Sequence, residues 1–177
     1  MGDEAISSLI LSETDGRPMK ITILCVGKIR ESYWEDAIAE YMKRLTRYCK
    51  PEIIQVADEK TPDDASENMN KQILEKEGDR LLEKLPDDAY VVTLEIKGMS
   101  LDSVAFSEKI SKLTVAGVSH ICFVIGGSLG LDPRVSKRAD FKLSFSAMTF
   151  PHQMMRVVLC EQIYRAFRII SGEPYHK

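Results

Sequence analysis

Residues 119–130 read SHICFVIGGSLG, an apolar run that turns abruptly into glycines. Such a run predicts a strand that is buried on both faces, as in a parallel sheet covered by helices. Glycine permits positive φ and a close approach of the backbone to a ligand. The segment is neither GxGxxG nor a Walker A loop, because no GK[ST] follows. By itself it fits a plain strand-to-loop turn as well as a nucleotide contact.

Similar apolar runs occur earlier in the chain, at residues 20–26 (KITILCV), 52–56 (EIIQV) and 89–96 (AYVVTLEI). Helical patterns separate them, at residues 31–48, 65–85 and 101–115. This alternation predicts an α/β fold whose parallel sheet is flanked by helices on both faces. Ligands of such sheets bind beyond the carboxyl ends of the strands. The loops after Ile96, Ile125 and Phe145 are therefore the expected place for a site.

A loop unusually rich in large apolar residues precedes the last predicted helix. Residues 144–152 read SFSAMTFPH, and Pro151 fits the first turn of a helix. Such a loop either packs beneath its neighbours or forms the wall of an apolar ligand pocket. Without further context the residues favour packing.

The last predicted helix, residues 151–170, is apolar nearly all round, which is typical of burial in a core or an interface. At 100° per residue, His152 and Arg156 fall on its buried stripe beside the apolar loop. This position favours a site over a solvated face. Arg165 can pair with Glu161 four residues earlier, so a purely structural role for Arg165 stays open.

Residues 1–18 (MGDEAISSLILSETDGRP) are mostly polar and acidic, and Met19 opens the first strand-like run. Their apolar patch is too short for a signal sequence and no basic segment precedes it. We expect residues 1–18 to be a disordered leader or tag and residues 19–177 to form a single domain. No apolar run reaches the ~20 residues of a membrane-spanning helix, so no membrane anchor is expected.

The chain has 24 basic and 27 acidic residues, a formal net charge of −3. Residues 134–177 contain eight basic and three acidic residues, so a polyanion would meet the C-terminal quarter. Alone, such an asymmetry is more often a solvated face than an RNA site. The four cysteines have no CxxC spacing, which suits a reducing cytoplasm. No cluster of histidine and cysteine has metal-ligand spacing, so no metal is expected.

Five segments, taken together, resemble one family. They are MKITILCVGKIRESYW from Met19, VVTLEIKG from Val91, FVIGGSLGL from Phe123, LSFSAMTFPHQMMRVVLCEQIYRAFRI from Leu143 and the terminal GEPYHK. In this order they are similar to the SPOUT-class ribosomal RNA large subunit methyltransferase H family, which methylates N3 of a pseudouridine in bacterial 23S rRNA. The resemblance runs from Met19 to Lys177.

The resemblance implies a sheet whose C-terminal part is tied in a deep trefoil knot, which periodicity could not have indicated. It implies S-adenosylmethionine as methyl donor and a cytoplasmic homodimer, with the last helix at the interface. In that dimer the tail reaches the partner's site, and the substrate is the assembled ribosome. The implied donor-binding residues are Leu94, Gly126 and the loop residues Phe145, Ser146, Ala147, Met148, Thr149 and Phe150.

Methyl transfer to an imide nitrogen requires near-attack geometry and loss of the nitrogen's proton. Arginine donors would stabilise the charge on the flanking carbonyl oxygens. The candidates are Arg156 and Arg165, and the resemblance favours Arg165 through its YRAF segment. His176 is the candidate general base, with solvent as an open alternative, and Tyr175 could stack on the target base. The alternative function is a non-catalytic RNA-binding ribosome assembly factor that kept the fold.

Overall fold

Strands and helices alternate along the chain, as the apolar runs predict. The computed structural model describes residues 18–175, so residues 1–17, which belong to the predicted leader, and the tail residues His176 and Lys177 lie outside it. The strands are β1 (Lys20–Val26), β2 (Lys50–Val56), β3 (Tyr90–Ser100), β4 (His120–Ile125) and β5 (Phe141–Ser144). The helices are α1 (Ser32–Leu45), α2 (Glu67–Lys84), α3 (Ser103–Val115), α4 (Pro133–Arg138) and α5 (His152–Ile170).

All five strands are parallel and lie in the order β2-β1-β4-β3-β5. The central strand β4 is buried along its whole length, which explains its unbroken apolar sequence. One apolar cluster joins one face of the sheet to α1, α3 and α5, and a second joins the opposite face to α2 and α4. The predicted α/β fold is confirmed. The trefoil knot stays a prediction from the resemblance, with which this strand order is consistent.

Strand β3 continues past its predicted end at residue 96, as far as Ser100. The register against β5 shifts between Leu94 and Met99, both of which pair with Leu143. Gly98 lies in this irregular stretch, where a Cβ would be 2.7 Å from the backbone carbon of Leu143. Glycine therefore allows β3 to pass the end of β5 and reach the edge of the sheet where a ligand would bind.

The short helix α4 was not predicted. Its six residues are too few to show helical periodicity. The local signal is the Asp132-Pro133 pair, since the Asp132 carboxylate accepts a hydrogen bond from the backbone N–H of Arg134 at 2.7 Å. Proline is favoured at the first helical position. The pair ends the glycine turn that follows β4 and begins α4.

Candidate functional site

A cavity of about 180 Å³ opens at the carboxyl edge of the sheet. It is lined by Leu94, Glu95, Ile96, Ile125, Gly126, Gly127, Ser128, Gly130, Leu143, Phe145, Ser146, Met148, Thr149, Phe150, His152 and Met155. These residues come from the middle of β3, from the ends of β4 and β5 with the loops that follow them, and from the first turn of α5. The loops selected after Ile125 and Phe145 therefore meet at one place beside β3, as parallel-sheet topology requires. The loop expected after Ile96 was wrong, because β3 continues to Ser100.

Seven of the eight residues that the resemblance implicates in donor binding line this cavity, and Ala147 is the exception. Two large apolar side chains of its outer wall face solvent, since Met148 is 73% exposed and Phe150 is 40% exposed. Apolar walls with backbone polar groups suit a nucleoside such as the adenosyl part of a methyl donor. The residues present therefore fit the group that the resemblance implies.

The glycine turn after β4 comprises residues 126–130. It requires glycine at position 126 because the backbone of the turn itself leaves no room for a side chain there. A Cβ on Gly126 would lie 2.2 Å from the carbonyl oxygen of Gly130 and 3.1 Å from Cδ2 of Leu131. The backbone N–H of Gly130 donates to the carbonyl of Gly127 at 3.1 Å, and this bond closes the turn. Any side chain at 126 must displace backbone that lines the cavity.

A buried carboxylate supports this turn from α2. Glu77 is 4% exposed, and its Oε1 accepts a hydrogen bond from the backbone N–H of Glu59 at 2.9 Å. Its Oε2 would be 2.9 Å from a Cβ on Gly127. Burial, together with the negative charges of Asp58 and Glu59, raises the pKa of the Glu77 carboxyl. Glu77 was missed from the sequence, although its spacing from Ile73 and Leu81 places it on the apolar face of α2.

Further cavity residues were not predicted as donor-binding residues: Glu95, Ile96, Ile125, Gly127, Ser128, Gly130, Leu143, His152 and Met155. Most of them adjoin a predicted residue along the chain. Their position at or near a strand end was therefore the feature of the sequence that could have indicated them. Glu95 is held in place, because the hydroxyls of Thr93 and Ser136 donate to its Oε1 at 2.7 and 2.8 Å. His152 was noticed on the buried stripe of the last helix but was given no role.

Arg156 follows the cavity residue His152 by one turn of α5 and has no exposed surface. Its Nη2 donates to the carbonyl oxygens of Val26 and Gly27 at 2.7 and 2.8 Å. Its Nε and Nη1 have no hydrogen-bond partner among the described residues. The guanidinium therefore fastens α5 to the end of β1. A direct contact of Arg156 with the acceptor's carbonyl oxygens stays a prediction.

Replacing Arg156 by alanine should lower the free energy of unfolding by about 3 kcal/mol. The change removes two charge-assisted hydrogen bonds, leaves two buried carbonyl oxygens without a donor and creates a cavity. Urea denaturation at one fixed protein concentration measures the effect. The control is Arg138→Ala, whose partly exposed side chain pairs with Asp140 at 3.6 Å and should cost about 0.5 kcal/mol or less. Equal losses in the two variants would contradict the structural role.

The predicted acceptor residues Arg165 and Tyr175 contact each other. Arg165 pairs with Glu161 through Nη2 at 2.7 Å, and its guanidinium carbon lies 4.7 Å from the centroid of the Tyr175 ring. The Tyr175 hydroxyl donates to the same carboxylate at 3.3 Å, and its ring packs edge-on against Tyr164 at 5.1 Å. The last described residue is therefore docked on α5. His176, the predicted base, lies beyond the described residues.

The Arg165–Tyr175 cluster lies far from the cavity within one chain. His152, at the cavity, begins α5, and Arg165 follows thirteen residues later on the same helix. At 1.5 Å per residue this separation is roughly 20 Å along the axis, and from Met155, the last cavity residue on the helix, it is roughly 15 Å. One chain therefore does not bring the predicted donor and acceptor residues together.

In residues 18–175, no helix is long and apolar enough to cross a membrane. The same residues contain no group of three or more histidine, cysteine, aspartate or glutamate side chains that could hold a metal ion.

Comparison with known proteins places the chain in a family. The family described as predicted SPOUT methyltransferase matches residues 19–176. Proteins named ribosomal RNA large subunit methyltransferase H, from Bifidobacterium adolescentis and Bifidobacterium animalis subsp. lactis, are 59% and 60% identical. Each alignment spans 159 residues, which is 90% of this chain and 100% of the relative.

A solved structure shares the fold. It is described as a probable methylase family protein from Haemophilus influenzae, with a TM-score of 0.51 at 14% identity over 91% of this chain and 71% of that one. The match covers nearly the whole described chain, and the parallel sheet with a cavity at its carboxyl edge is consistent with it. The chain therefore belongs to the SPOUT methyltransferase family, whose members are enzymes that use S-adenosylmethionine as methyl donor.

Proposed function

We propose that this chain transfers the methyl group of S-adenosylmethionine to N3 of a pseudouridine in large-subunit ribosomal RNA. The observation that carries the proposal is the meeting of seven expected donor-binding residues in one cavity. It is supported by relatives of 59–60% identity that bear the name of an rRNA methyltransferase. The reaction takes place in the cytoplasm, on the assembled ribosome.

The cavity would hold the donor, which supplies a methyl group on a positively charged sulfur. Leu94 and the loop of residues 145–150 provide apolar surface for the adenosyl group. Gly126 and its neighbours present backbone at close range, because side chains are absent there. The protein's contribution is to align the methyl group with the acceptor nitrogen and to exclude water.

The Arg165–Tyr175 cluster would hold the acceptor. Tyr175 offers a ring for stacking on an unstacked base, and Arg165 offers N–H donors for the oxygens that become negative as the nitrogen loses its proton. Because the cluster and the cavity are roughly 15 to 20 Å apart along α5, the cluster of one protomer serves the cavity of its partner. The active form is thus a homodimer with two composite sites.

The protein should have the mass of two chains in solution at micromolar concentration. Ile96, Met99, Met148 and Phe150 are large apolar side chains that remain at least 40% exposed in one chain. Exposed apolar groups concentrated at one edge are typical of an interface. Multi-angle light scattering checks the mass. A one-chain mass that retains full methyl transfer would contradict the composite site.

Mass mapping of rRNA from cells with and without this gene tests the function. Methylated pseudouridine should disappear from large-subunit rRNA when the gene is deleted and return when it is restored. Transfer to purified ribosomes, large subunits and free rRNA in parallel identifies the substrate. The alternative, a non-catalytic assembly factor, predicts no stoichiometric binding of S-adenosylmethionine and unchanged rRNA methylation in the deletion strain.

A further inference from the structure

Two ionisable side chains line the cavity, Glu95 and His152. The Glu95 carboxylate already accepts hydrogen bonds from two hydroxyls. The His152 ring makes no hydrogen bond with any residue in the described part of the chain, although it is half-buried at the cavity wall. His152 therefore has ring nitrogens available to a ligand in the cavity.

The surroundings of His152 favour the neutral ring. Burial is the largest cause that lowers its pKa, and the positive charges of Arg156, one turn along α5, and Arg30, in the β1–α1 loop, act in the same direction. The Asp58 carboxylate, in the β2–α2 loop, opposes them. His152 also begins a long helix, whose amino terminus disfavours positive charge. A neutral imidazole keeps one nitrogen as a hydrogen-bond acceptor.

The ring lies close to the ends of two loops. A Cβ placed on Gly27 would be 3.8 Å from Nε2 of His152 and 3.6 Å from Cγ of Asp58. Arg30 approaches Asp58 with an Nη2–Oδ2 distance of 3.9 Å. Nε2 thus lies near Gly27, where the β1–α1 and β2–α2 loops adjoin the cavity residue His152.

We propose that His152 is the general base that removes the proton from the acceptor nitrogen, an assignment that rests on the proposed function. The N–H proton passes to a ring nitrogen of His152, and the electron pair of the acceptor nitrogen forms the new bond to the methyl carbon. The methyl–sulfur bond breaks with its electron pair remaining on sulfur, which becomes a neutral thioether. The imidazolium then releases its proton to water, so no further reactant is needed.

This assignment separates proton removal from acceptor positioning. His152 belongs to the chain that holds the donor, whereas Arg165 and Tyr175 would come from its partner. A base must lie within hydrogen-bond reach of the proton that it takes, and a side chain on the wall of the donor cavity would lie beside the methyl group. His176 would then serve to position the acceptor.

The test compares three variants of the full-length protein, His152→Asn, His176→Asn and Gln153→Ala. Asparagine keeps a polar group but takes up no proton. Gln153 neighbours His152 without lining the cavity, and its Oε1 accepts one long, exposed hydrogen bond from the backbone N–H of Arg30 at 3.4 Å. In single-turnover assays on unmethylated large subunits or ribosomes, His152→Asn should slow methyl transfer by roughly 10²-fold or more. Its calorimetric affinity for S-adenosylmethionine should stay nearly unchanged, and Gln153→Ala should behave as wild type. Added imidazole should partly restore a His152→Ala variant.

The pH dependence gives a second readout. Transfer at limiting substrate should rise with pH through the pKa of His152, which lies below the ordinary value of about 6.5. Asp58→Asn removes the charge that favours the imidazolium, so the rise in transfer should occur at lower pH. Arg30→Gln removes a charge that disfavours it, so the rise should occur at higher pH. Ring resonances of His152 in NMR spectra report the same shifts without turnover.

Several outcomes would overturn the assignment. An active His152→Asn variant would overturn it. A loss of donor affinity equal to the loss of turnover would also overturn it, because His152 would then be part of the donor-binding wall. The assignment would also be overturned if the His152 ring titrated above the ordinary value, or if Asp58→Asn did not shift the pH at which transfer rises. A wild-type chain that transfers no methyl group would overturn the proposed function itself.

Discussion

Replacing Gly126 by valine should reduce the affinity for S-adenosylmethionine by roughly 10²-fold or more while the protein stays folded. The new Cβ would lie 2.2 Å from the carbonyl oxygen of Gly130, and that contact can be relieved only if backbone moves. The turn then shifts by about an ångström where it lines the cavity. Isothermal titration calorimetry measures the affinity, and circular dichroism with light scattering checks the fold.

The matched control is Gly117→Ala. Gly117 follows α3 with φ of +83°, and a Cβ there meets nothing within 4 Å. This variant should cost about 1 kcal/mol of stability through backbone strain alone and should bind the donor normally. Unchanged affinity in a folded Gly126→Val variant would remove the glycine turn from the site.

Deleting the last three residues, Tyr175 to Lys177, should slow methyl transfer by at least ~10²-fold while donor affinity stays nearly unchanged. The reason is that Tyr175 docks on Arg165 and Tyr164, roughly 15 to 20 Å along α5 from the cavity. Single-turnover kinetics and calorimetry measure the two quantities separately. Tyr175→Phe keeps the ring for stacking and should retain most of the activity.

Mixed dimers test whether the site is composite. A tail-deleted chain co-expressed with a Gly126→Val chain should give heterodimers in which one site has an intact cavity and an intact tail. Such heterodimers should show partial activity, although both homodimers are inactive. If the deletion instead weakens donor binding as much as turnover, the tail is a structural lid. If it changes neither, the tail is the frayed end that most chain termini are.

The strands and the place of the cavity could be predicted because they depend on local sequence and on one topological rule. Residues 120–125 contain no alternation of polar and apolar residues, and a parallel sheet follows from that. The carboxyl ends of parallel strands share an edge, so the segments after Ile96, Ile125 and Phe145 were expected to meet. The pocket residues came from the resemblance, which named individual positions.

Contacts between distant segments could not be predicted in the same way. Helical periodicity placed Arg156 on the buried stripe of the last helix but gave no indication of its partners, which are carbonyls 129 and 130 residues earlier. Glu77 was likewise on the apolar face of α2, yet its acceptance of the Glu59 N–H depends on how the β2–α2 loop turns back. Backbone acceptors carry no signature in the sequence, because every residue has one.

The hydrogen bonds between Arg156 and the end of β1 also have a consequence for the order in which the nascent chain can fold during its own synthesis. Strand β1 is the first described element to be synthesised, and α5, which covers its apolar face with Leu159, Cys160 and Ile163, is the last. Contacts with such a large separation along the chain close late and fold slowly. A nascent chain that ends before α5 therefore exposes the face of its central strands, and it should depend on chaperones until synthesis is complete.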